Sequence, residues 1–201
     1  MNTNNKIIHC ILLGALALAI NGCATFHPPF VYVKPDPTGT KQYPMDATLV
    51  VPEDLCKQKI VSKLHMGSEA YEYAVGTHLC EHVKDVAKAC FRSVQVSTGS
   101  PASPSAIVLH PKLVKASHIM PLFHDQQMAF VVEWTVSEPG TGKTILLVTV
   151  QGNATAPMKG VNLGPGGATC IQLAEADLYK NTVFALTNSI EIQQYVAAKQ
   201  K

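Results

Sequence analysis

Charge is scarce in this sequence. Only 15% of its 201 residues are Asp, Glu, Lys or Arg, and the formal net charge is +2. That balance gives no reason to expect nucleic acid or a strongly acidic partner. No Cys-x-x-Cys pair occurs, so the usual spacing of a structural zinc site is missing. Beyond residue 22 no stretch is long and apolar enough to span a bilayer, which takes roughly 20 apolar residues. No Ser/His/Asp or Cys/His spacing supports nucleophilic catalysis, and no motif calls for a cofactor. What the chain has is apolar material. At 47% hydrophobic it can bury the core of one domain of ordinary size.

The N-terminus follows a secretory order. Lys6 supplies positive charge, and Ile7 to Ile20 is almost wholly apolar. That run suits the core of a signal peptide and is short for a membrane span. It ends in Ile20-Asn21-Gly22-Cys23, which resembles the bacterial lipobox: an aliphatic residue, then a small residue directly before an obligatory Cys. The resemblance implies cleavage before Cys23, with thioether lipidation and N-acylation of that residue. Residues 1–22 are then the signal peptide. Several acyl chains anchor a protein durably, since each buried methylene contributes roughly 0.8 kcal/mol. Residue 24 is Ala rather than the Asp that retains such proteins in the inner membrane. The expected location is the outer membrane, on its periplasmic face.

Cys10 leaves with the signal peptide, so four cysteines remain in the domain: Cys56, Cys80, Cys90 and Cys170. An even number in an exported chain predicts two disulfides. Cys80 and Cys90 fall on one predicted helix, about 15 Å apart along its axis. A disulfide needs its Cα atoms within about 7 Å. Two pairings stay open: Cys56–Cys80 with Cys90–Cys170, or Cys56–Cys90 with Cys80–Cys170.

Residues 23–45 hold Pro28, Pro29, Pro35, Pro37 and Pro44, and read as an extended tether. Phe26, Phe30 and Tyr32 offer an alternative, docking on the domain or on a partner. A single domain is expected over residues 46–201. Strands are predicted at 47–51, 71–75, 93–96, 107–117, 128–136 and 144–154. Pro111 marks an edge or a bulge in its strand. Met128, Phe130, Val132, Trp134 and Val136 alternate onto one face. The spacing of Leu79, Val83, Val86 and Cys90 predicts a helix from Gly76 to Phe91, with Thr77 placed to cap it. A last helix is expected from about Cys170 to Ile190, with Ala176, Tyr179, Val183, Leu186 and Ile190 as its apolar stripe. A short helical tail should follow. The expected fold is α+β: a mixed or antiparallel sheet of four to six strands with two helices on one face.

Several strings invite a chemical reading. His78-Leu79-Cys80-Glu81-His82 matches the H-x-x-E-H pattern, which sets two zinc-binding His on one helix face beside a water-polarising Glu. The helix is short and the further acidic ligand would have to come from far downstream. Boundary histidines on an amphipathic helix are the preferred reading. Gly140–Thr144 echoes the end of a phosphate loop. Its first Gly would fall at 137, which is Ser, so a hairpin turn is expected. His110, His118 and His124 surround one strand, and His110 and His118 share parity on it. Asn153-Ala154-Thr155 is a chance sequon within a strand. The glycines at 164, 166 and 167 suggest a flexible connector, pinned near Cys170.

The helix from Gly76 to Phe91 running into Ser93–Val96 resembles the YajG-type family of outer-membrane lipoproteins. So do the strand at Ala106–Leu109 followed by Phe130–Val136, and Val148–Gly152 with the long helix closing on Ile190–Val196. The order is also loosely similar to lipoprotein subunits of envelope assembly and transport complexes. The resemblance carries no catalytic residues. It implies a lipid-anchored, non-enzymatic binding or assembly module with an envelope protein partner. A lipid or lipopolysaccharide transport accessory is the alternative, and a zinc hydrolase using His78, Glu81 and His82 a third.

Overall fold

The structure, a computed structural model, describes residues 25–28, 31–36, 39, 41–63, 70–97, 107–121, 124–157 and 163–200. The expected signal peptide and Cys23 lie outside the described residues. In chain order the elements are β1 Thr25–Phe26, β2 Tyr43–Val50, α1 Glu53–Cys56, β3 Ile60–Lys63, β4 Ala70–Tyr73 and α2 Val75–Cys90. Then come β5 Phe91–Ser97, β6 Ile107–Ile119, β7 Gln126–Ser137, β8 Thr144–Ala156, α3 Leu163–Thr187 and α4 Ile190–Lys199.

The fold is α+β, with mixed sheets. The larger sheet has the order β5-β2-β6-β7-β8; its first two pairs are parallel and its last two antiparallel. A smaller sheet has the order β1-β4-β3, with β1 parallel to β4. Helices α2 and α3 touch each other and cover one face of the larger sheet, α2 over β5 and β2, α3 over β7 and β8. Within the smaller sheet β4 answers to the strand expected at 71–75, whereas β3 and the two-residue β1 carry no pattern long enough to read from the sequence.

Alternation fixes the central hairpin. Met128, Phe130, Val132, Trp134 and Val136 are all buried, while the residues between them are half-exposed. Gly140 and Gly142 take φ of 78° and 67°, so the expected turn closes without strain. Glu138 N–H donates to Lys143 O at 2.8 Å across it. Gly152 serves packing: a Cβ there would lie 2.4 Å from Ala174 O, so only glycine lets α3 settle onto β8. The outer edge of β8 is covered by α3 side chains. Asn153 N–H donates to Asp177 Oδ2 (2.9 Å) and Asn181 Nδ2 donates to Gln151 O (2.9 Å), which blunts an edge open to other strands.

Several expectations change. Pro111 lies just beyond the stretch where β2 pairs with β6, on a side freed of ladder bonds. The bulge is three residues on, between Leu113 and Lys115. It reverses side-chain parity, so His110 pairs with Thr135 on the outer face and His118 with Met128 on the helix-covered face. They do not share a face. Helix α2 starts at Val75, ahead of Thr77, and Ala74 caps it without a side-chain bond. The glycine-rich connector enters α3 at Leu163. Of the expected stripe of α3, Tyr179, Val183 and Leu186 are buried, joined by Ala174 and Leu178, whereas Ala176 is exposed and Ile190 is 65% exposed. The helix stops at Thr187 because Ser189 caps a new one, its Oγ accepting from Ile192 N–H at 3.2 Å.

One disulfide forms, Cys56–Cys80, with Cα atoms 5.4 Å apart. It ties α1 to α2, where Gly76 leaves room for the backbone of Cys56 and Gln58. The second expected bridge does not form. Cys90 and Cys170 are free, buried thiols. Cys170 Sγ donates to Gln126 O (3.5 Å), and burial pushes the Cys90 thiol up to about 12.

Candidate functional site

Residues 31–36 of the proline-rich segment lie along the seam between α2 and α3. Gln172 Nε2 donates to Val31 O at 2.8 Å, and Tyr32 OH donates to Asp85 Oδ2 at 3.1 Å. The Tyr32 ring meets the edge of His78, with centroids 5.8 Å apart. Phe26 stacks on Tyr71 at 5.4 Å. Of the two expectations for this segment, docking on the domain describes Phe26 and Tyr32; Phe30 lies outside the described residues.

Beneath the strap sits a polar cluster. His78 Nδ1 stands 3.5 Å from Glu175 Oε2, and both side chains are almost fully buried. Burial pushes the Glu175 carboxyl up, and His78 opposes that shift. One turn on, His82 is enclosed; burial lowers it to about 4. Its ring nitrogens have no hydrogen-bond partner, and its ring lies edge-on to Tyr179 at 6.1 Å. Burial, then the Asp85 carboxylate, raise the Tyr32 hydroxyl. A tyrosine in that state is a hydrogen-bond donor and no acid.

This arrangement does not assemble the zinc constellation. Glu81 lies on the solvent side of α2, its Oε1 2.7 Å from Lys84 Nζ, because it sits about 100° around the helix from His82. Among the described residues no group of three His, Cys, Asp or Glu side chains is placed to hold a metal. The histidines around β6 separate as well. His118 Nδ1 lies 2.7 Å from Ser62 Oγ and its ring meets Tyr73 edge-on, while His124 is exposed. The Ser62–His118 contact had no sequence signal, since β3 and β6 are far apart in the chain. Ser62 is only 1% exposed, so the pair joins the two sheets and offers no nucleophile to a substrate.

Past the strap, a groove of about 670 Å³ opens over α3, bounded by Asp36, Lys41, Tyr179, Lys180, Val183 and Phe184. A second recess of about 410 Å³ continues beyond Lys41 and Gln193 toward α4. The Phe184 ring is 69% exposed, with two lysines on the rim. No described helix is long and apolar enough to cross a membrane.

No family model matches the sequence, and no curated protein matches it. Solved structures are similar to it. A Xanthomonas campestris protein of the DUF330 family is similar over 87% of this chain and 99% of its own, with a TM-score of 0.55 and 10% identity. A hypothetical protein from Chlamydia trachomatis is similar over 77% and 99%, with a TM-score of 0.46 and 10% identity. A minor lipoprotein from Acinetobacter baumannii is similar over 79% and 93%, with a TM-score of 0.40 and 13% identity. At these identities the likeness to the DUF330 protein is one of fold.

Proposed function

We propose that this chain is a lipoprotein of the bacterial envelope, anchored through Cys23 on the periplasmic face of the outer membrane, and that it binds a protein partner without catalysis. The observation that carries this reading is the groove beside the strap. Phe184 stands 69% exposed there, in a groove of about 670 Å³ that it shares with Lys41, Tyr179 and Lys180, and a concave surface with an apolar floor and a polar rim suits a bound partner. The buried polar cluster supports a holding role, since His78 and Glu175 face each other between helices and line neither the groove over α3 nor the recess toward α4. The YajG-type resemblance points the same way.

The test is crosslinking in the native membrane with a photoreactive residue at Phe184. Recurrent capture of one envelope protein supports the reading, and a control at exposed Thr149 should capture none. Equal background at both positions counts against it.

A transport accessory for lipid or lipopolysaccharide remains the second reading. Val183 and Phe184 would take acyl chain while Lys41 and Lys180 meet anionic headgroups. It predicts lipid in native mass spectra of the purified protein, lost on Phe184→Asp.

A further inference from the structure

The strap leaves the anchor almost no slack. Thr25 pairs with Ala70 and Phe26 with Tyr71, and the Phe26 ring is stacked on Tyr71. Ala24 alone stands between Cys23 and this paired strand. Two extended residues reach about 7 Å. Acyl chains on Cys23 have to lie in the bilayer, so the headgroup layer comes within that reach of β1.

Resting on the reading of Cys23 as the lipidated N-terminus, we propose that the domain sits directly on a phospholipid bilayer. The β1 end of the smaller sheet and the β6–β7 end of the larger sheet meet the headgroups. The two ends are neighbours. Ser62 in β3 contacts His118 at 2.7 Å, β3 pairs Lys63 with Ala70, and Ala70 is the partner of Thr25. Ile119 follows His118 at the end of β6. Two apolar side chains here are open, Ile119 at 56% exposed and Phe26 at 45%, while Met120 and Met128 beside them are buried in the core. Apolar groups at such a depth add to the hold of a lipid anchor. The β7–β8 hairpin marks the opposite pole. β7 has 12 residues, so Thr141 stands about 40 Å away at roughly 3.3 Å per residue. The groove at Phe184 is left free for a protein partner.

The experiment uses the full mature chain, purified from membranes and reconstituted in vesicles of phosphatidylethanolamine and phosphatidylglycerol. An environment-sensitive fluorophore is placed by Ile119→Cys or Thr141→Cys. Buried Cys90 and Cys170 and the bonded Cys56 and Cys80 confine labelling to the new thiol. Gln127→Cys, which pairs with Ile119 across the strands, gives a second site should the first variant fold poorly. Spin-labelled lipid should quench the probe at 119 or 127 several-fold more than at 141. A spacer of about ten Gly/Ser residues after Ala24 should lower that difference. Equal quenching at both poles, in protein whose intact mass shows acylated Cys23, overturns the placement and leaves the lipid reading standing. Protein without acyl mass overturns both.

Discussion

Single residues already set measurable behaviour. His82 is neutral in the fold down to about 4, whereas an exposed histidine titrates near 6.5. As pH falls below 6.5 the unfolded chain takes up the proton first, so stability present at neutral pH is lost toward pH 4. The full effect is about 3 kcal/mol. Burial lowers His118 to about 4 as well, with the same sign. Thermal melts should therefore drop between pH 6.5 and 4, and His82→Leu should flatten part of that slope. The thiols give a second outcome. Alkylation under native conditions should leave Cys90 and Cys170 unmodified; denaturation without reductant should expose these two, and reduction should add Cys56 and Cys80. Closing the 24-residue separation stabilises the fold by about 3 kcal/mol, which Cys80→Ser should remove in urea melts. Only part of this could be read in the sequence. Cys56–Cys80 belonged to one of two open pairings. The partner of His78, Glu175, lies on a distant helix and had no local signal.

Elements follow the same division. Long periodic segments announce themselves: β7 by strict alternation, α2 by its apolar stripe, and the hairpin by its glycines. Short ones do not. β1 and β3 owe their existence to pairing with β4, and the α3–α4 break depends on one serine cap. The bulge after Leu113 inserts one extra residue into the alternation, and no residue type demanded it there. Close contact also escapes pattern. Gly152 reads as a weak spot in a strand, yet it is the place where α3 touches β8. Gly152→Val should destabilise by about 3 kcal/mol or more, seen as a lowered urea midpoint. A smaller change on the strap tests its docking. Tyr32→Phe removes the bond to Asp85, worth about 1 kcal/mol, and should speed limited proteolysis near residues 31–36 while the melting of the domain barely moves.

The whole molecule holds its buried polar pair between α2 and α3 and its open groove past the strap. Phe26 and Tyr32 dock on the domain, the alternative left open beside an extended tether. The α+β class was legible because most of the sheet and both long helices carry periodic patterns. The groove was not, since Lys41, Tyr179 and Phe184 meet only once the strap lies on α3. Anchoring turns on the lipidation of Cys23, measured most directly by the intact mass and N-terminal sequence of the chain isolated from bacterial membranes, beside Cys23→Ser. It predicts a chain beginning at Cys23 with added diacylglyceryl and acyl mass, and unprocessed protein in the variant. A chain that keeps residues 1–22, or begins at Cys23 without added mass, would contradict it.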